Sequence, residues 1–91
     1  MIGSARLELH LPACRSLKDK RSVLRRYLEH ARRTYGVAIA EIDALDAWHS
    51  AVVEIAVVGN ERAHLHRVIT RVVEDADRPG EMFITDSEIH V

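Results

Sequence analysis

This 91-residue chain holds one cysteine, two prolines, four glycines and few aromatic residues, and no apolar run that approaches a membrane span of roughly 18 residues. Each scarcity excludes something. Cys14 alone can close no internal disulfide and can offer a metal only one thiolate, which rules out a disulfide scaffold and suits a reducing compartment. The prolines and glycines do not gather into a linker, so nothing divides the chain into domains. With 4% aromatic residues, there is no platform of rings on which bases could stack as they do on an RNA recognition motif. The opening "MIGSARLELHL" alternates apolar and polar residues where a secretion signal would be continuously apolar, so a cytoplasmic protein is expected.

What is present describes a globular protein. A hydrophobic fraction of 47% beside 30% charged residues argues against disorder, and the length fits one domain over residues 1–91. The net charge of −1 hides a division. Between residues 15 and 35 stand Arg15, Lys18, Lys20, Arg21, Arg25, Arg26, Arg32 and Arg33 against only Asp19 and Glu29; the remainder has five cations and twelve acids. A local positive field of this kind attracts polyanions even when the whole molecule is close to neutral.

Periodicity supplies the elements. In "ARLELHL", residues 5–11, Ala5, Leu7, Leu9 and Leu11 share one face and Arg6, Glu8 and His10 the other, which is the pattern of a half-buried strand. Pro12 ends it. Ser16 with Asp19 three residues on forms a variant capping box, and Leu17, Leu24, Leu28, Ala31 and Tyr35 recur at helical spacing until Gly36, so a helix is expected over 17–35. "VAIAEI" (37–42) and "SAVVEIAVVG" (50–59) are β-branched runs joined by a hairpin-length loop. Asn60 is the expected cap of a second helix, whose stripe runs through Leu65, Val68, Ile69, Val72, Val73 and Ala76 until Pro79 and Gly80. "EMFITDSEIHV" is a last strand, interrupted around Asp86 and Ser87 and polar enough for an edge. The order βαββαβ predicts an α+β, ferredoxin-like domain: a four-stranded antiparallel sheet with both helices on one face and the first and third strands central. Val52, Ala56 and Val58 would then lie on the uncovered face, where a second copy is the expected cover and a homodimer the expected state.

Three stretches, "RSLKDKRSVL" (15–24), "VAIAEIDALDAWHSA" (37–51) and "VVGNERAHL" (57–65), resemble the bacterial YlxP family in the same order along nearly the whole chain. The resemblance implies a small ferredoxin-like domain of a family with no established activity, whose genes commonly lie beside those of translation and ribosome-maturation factors.

The candidate sites follow from the charges. Lys18, Arg21, Arg25 and Arg32 fall on one stripe of the first helix, with Arg26 and Arg33 on its flank and Arg15 and Lys20 at its start. Each first-turn cation costs roughly 0.3–1 kcal/mol against the helix dipole, so stability does not explain them. They form either a surface that tracks nucleic-acid phosphates or a merely solvated face. Asp43, Asp46 and Trp48 in the hairpin loop are candidate partner contacts, the alternative being a Trp folded over the sheet edge and aspartates bonded within the turn. His64 and His66, two apart on a helix, point roughly 200° from each other and cannot share an ion, so no metal and no cofactor is expected. The loop "PACRS" resembles the phosphate loop of acylphosphatases only in place, since it lacks their glycines and shows no base for Cys14. The expected function is a non-enzymatic binding module for RNA or a ribosomal particle acting through the first helix. The alternatives are a homodimeric protein-interaction module and, behind it, an acylphosphatase-like enzyme.

Overall fold

A computed structural model describes Met1–Val91 as β1 (Ile2–His10), α1 (Leu17–Tyr35), β2 (Ala38–Asp43), β3 (Ser50–Val58), α2 (Arg62–Glu74) and β4 (Phe83–His90). The sheet order is β2-β3-β1-β4, every pair antiparallel, with both helices packed on one face. This is the ferredoxin-like arrangement that the pattern of apolar residues predicts. No helix is long and apolar enough to cross a membrane.

Alternation along the two central strands makes the core. Ala5, Leu7 and Leu9 of β1 stand opposite Ile55, Val53 and Ala51 of β3, all buried, and beneath them lie Leu24, Tyr27 and Ala31 of α1 and Leu65, Ile69 and Val72 of α2. Full burial of one such aliphatic side chain contributes about 1.5–3 kcal/mol. Gly3 permits the close approach of α2 to β1, because a Cβ there would stand 2.8 Å from Ile69 Cδ1. At the end of α1, Gly36 adopts the left-handed φ of 66° that a C-cap requires, and its N–H donates to Arg32 O.

Several boundaries differ from those expected. β1 starts at Ile2 rather than residue 5, because Ile2 and Gly3 pair with Val58 and Val57 of the equally long β3. The cap of α2 is Glu61 instead of Asn60, and its side chain makes no capping bond. β4 is continuous through Asp86 and Ser87; its irregularity falls one residue earlier, where Glu8 pairs with Asp86 and Leu9 with Ile84, leaving Thr85 unpaired. α2 ends at Glu74, well before Pro79, because each of its last carbonyls finds a donor: Arg71 O takes Asp75 N, Val73 O takes Ala76 N and Glu74 O takes Asp77 N. Val72 O takes the hydroxyl of Tyr27, at 2.8 Å, which ties α1 to the end of α2.

Candidate nucleic-acid interface

The first helix is set in place by a reciprocal cap. Ser16 Oγ accepts the Asp19 amide at 3.1 Å, while Asp19 Oδ2 accepts the Arg15 amide at 3.0 Å. Those two amides are thereby withdrawn from the loop that an acylphosphatase-like site would need free for phosphate. Cys14 in the same loop is buried, and desolvation, helped by the neighbouring Asp19 carboxylate, pushes its thiol above the ordinary value. A protonated, buried thiol is a poor nucleophile.

Lys20 departs from its expected role. It is fully buried, and its ammonium donates to Glu41 Oε2 at 2.8 Å and to the carbonyls of Ala44, Ser50 and Leu45 at 2.9, 3.1 and 3.3 Å. It therefore holds the β2–β3 loop onto α1 and cannot reach a phosphate. The sequence carried the signal: Lys20, Leu24, Tyr27 and Ala31 are spaced by four, three and four and share the core face. Burying a lysine is tolerable only with this degree of satisfaction of its charge.

The seven other cations are all exposed. Arg26 pairs with Glu81 at 2.7 Å, and Arg32 donates to Ile39 O at 2.7 Å on the outer edge of the sheet, so both are partly engaged within the chain. Arg15, Lys18, Arg21, Arg25 and Arg33 have no side-chain partner. Arg21, Arg25 and Arg32 line a shallow cleft between α1 and the β2 edge, with Leu24, Leu28, Glu29 and Glu41.

α2 adds cations that the reading of α1 alone misses. Arg62, Arg67 and Arg71 are all exposed, as are His64 and His66, and the helix has no acid in its first turn. Together the two helices hold ten Lys and Arg against three acids, whereas the four strands hold Arg6 alone against Glu8, Glu41, Asp43, Glu54, Asp86 and Glu88.

Registers place most of those strand acids on the uncovered sheet face. There Arg6 stands between Glu54 and Glu88, and Glu8 between Val52 and Asp86. Val52 is half-buried on this face, and Ala56 and Val58 are exposed on it, Val58 to 76%. The rings of His10 and Phe83 meet at 5.1 Å between centroids and those of His10 and His49 at 6.4 Å, a cluster that appears only when β1, β4 and the hairpin loop are brought together. In that loop Asp43 accepts the Ala44 amide, Asp46 is exposed, and Trp48 is 50% exposed instead of folded away. No three His, Cys, Asp or Glu side chains converge on a point where an ion could sit.

The chain matches the family model described as "Protein of unknown function (DUF503)" over residues 2–89. It belongs to that family. It is also similar to the uncharacterized protein YlxP of Bacillus subtilis (strain 168), being 35% identical over 77 residues, which cover 85% of this chain and 84% of the relative. In this DUF503 chain the reciprocal cap, Lys20 and three of the unpartnered cations, Arg15, Lys18 and Arg21, all lie within the first of the three stretches that carry the family resemblance.

Proposed function

We propose that this DUF503 protein is a cytoplasmic, non-enzymatic module that binds the phosphate backbone of structured RNA, free or within a ribosomal particle, through its helix layer. The observation that carries the reading is the set of five exposed cations on and before α1 with no partner in the chain, in a helix layer of nine exposed cations to three acids whose opposite face is acidic. Cations held this way release counterions when they meet phosphates, and the gain is independent of base sequence. Base stacking on the sheet fits less well, because the face that carries His10 is acidic, with Glu8 two positions along β1 and opposite Asp86.

Titration of a duplex RNA of about 20 base pairs, long enough for a shape-reading module, tests this. The Lys18→Glu/Arg21→Glu variant should bind more weakly, with a log–log salt slope smaller by about 0.7–0.9 for each phosphate it no longer neutralises. Unchanged affinity and slope would reduce α1 to a solvated face.

A second reading, two copies packed sheet to sheet through Val52, Ala56 and Val58, has the 76% exposure of Val58 in its favour. Against it stand Glu8, Glu54, Asp86 and Glu88 with only Arg6 between them, so that two such faces repel. Light scattering at micromolar concentration decides: twice the chain mass of 10.3 kDa supports the pair, the single mass removes it.

A further inference from the structure

α1 and α2 run side by side, and between them opens a cleft lined by Thr34 and Tyr35 of α1 and His64, Arg67, Val68 and Arg71 of α2. We propose that this cleft is a second phosphate-binding site, taking a phosphodiester of the same RNA whose backbone lies along α1; the inference rests on the reading above and extends its surface from one helix to two.

Spacing is the first ground. His64, Arg67 and Arg71 are separated by three and four residues, which places them on one stripe of α2, and that stripe faces the end of α1. Their freedom is the second. Arg71 and His64 make no ion pair or side-chain hydrogen bond within the chain, and the only partner of Arg67 is Glu61, 3.7 Å away between two well-exposed side chains. The nearby acid Asp75 is turned away from the arginines and forms no ion pair with Arg67 or Arg71: its Oδ2 lies 3.2 Å from His30 Nε2 and accepts the Tyr35 hydroxyl at 2.6 Å. That bond also fixes the Tyr35 ring as a wall. Glu74, exposed on the neighbouring position of α2, is the acid left free nearby.

The chemistry then fits a phosphate. Guanidinium groups present several donors in a plane and match the tetrahedral oxygens of a phosphate two at a time, and two of them stand one helical turn apart at the cleft. Arg33, exposed and unpartnered, immediately precedes Thr34 in α1 and adds a further free cation close to this end of the helix.

The test compares full-length Arg67→Glu/Arg71→Glu with Lys18→Glu/Arg21→Glu on the same duplex RNA, each checked for native fold by circular dichroism. If the cleft engages two backbone phosphates, the α2 pair should lower affinity roughly 25- to 60-fold at 0.1 M salt and reduce the salt slope by about 1.4–1.8. Loss of binding in the α1 pair with affinity and slope intact in the α2 pair overturns the cleft and leaves the α1 reading standing. Loss in neither pair removes both. A parallel titration of isotope-labelled protein with inorganic phosphate separates the sources. Saturable shifts confined to Thr34, Tyr35, His64 and Arg71, in a protein that ignores the duplex, would mean a site for a small free phosphate and would overturn the backbone assignment.

Discussion

Two lysines two positions apart on one helix have opposite fates. Lys18 projects into solvent, while Lys20 is enclosed with its ammonium on Glu41 and three carbonyls. Lys20→Met leaves the 17%-exposed Glu41 carboxylate without its counter-ion, and breaking such a pair from one side costs about 3–5 kcal/mol. In a domain of this size the melting temperature should fall by on the order of 20 °C, whereas Lys18→Met should stay within about 0.5 kcal/mol of the wild type. Equal melting temperatures would show that Lys20 does not hold the loop. Cys14 is a residue-scale case of the same kind. Its burial keeps the thiol protonated at neutral pH, so iodoacetamide should label it only after unfolding, and Cys14→Ser should leave RNA affinity unchanged. Fast labelling of the native protein, or loss of binding in the serine variant, would reopen an enzymatic reading.

At the scale of the element, α1 shows a helix whose start is well capped and yet badly charged. Ser16 Oγ takes the Asp19 amide and Asp19 Oδ2 that of Arg15 just ahead of the cap, while Lys18 and Arg21 oppose the helix dipole. The Lys18→Glu/Arg21→Glu variant should therefore melt at the same temperature or higher, by a gain of about 0.5–2 kcal/mol, while losing RNA affinity. A marked fall in melting temperature would mean that these cations serve the fold. The end of α2 depends on α1 through Tyr27. Tyr27→Phe leaves the carbonyl of Val72 buried without its donor, at a cost of about 1–3 kcal/mol by chemical denaturation. Burial raises the Tyr27 hydroxyl far above its ordinary value near 10, so the folded state keeps it neutral. Its contribution is complete below the unfolded value and declines as pH rises above about 10, where the unfolded chain ionises first. The phenylalanine variant should accordingly lose less stability than the wild type on going to strongly alkaline pH.

Across the whole molecule, a net charge of −1 conceals a strong dipole, basic on the helix layer and acidic on the uncovered sheet face. A uniformly charged protein of that net charge would pass through an immobilised polyanion. This one should be retained on heparin at neutral pH and elute with added salt, and Lys18→Glu/Arg21→Glu should elute earlier. Passage of the wild type without retention would show that the fields of the two faces cancel at the distances that matter. The same division bears on self-association, since pairing two sheet faces confronts like charges while leaving both helix layers open to a polyanion.

Much of this was legible in the chain itself. Alternation in "ARLELHL", the Ser16 cap, Gly36 and the helical stripes sufficed for the element order and the sheet topology, because apolar period and cap chemistry act over a few residues and depend on no distant partner. The four-three-four spacing that turns Lys20 inward with Leu24 and Tyr27 is just as local, although the charge pattern counts Lys20 among the phosphate-binding cations. What made its burial tolerable, Glu41 and the carbonyls of the β2–β3 loop, lies 21 to 30 positions away. The acidic sheet face likewise needed the register that sets Glu88 and Asp86 beside β1, and the cleft needed two crossovers to bring Thr34 next to Arg71. Hydrophobic burial is non-directional and chooses which face of each element turns inward. Which charges become neighbours on the outside is decided only when the strands pair and the helices dock, since that alone fixes distances between residues far apart in the chain.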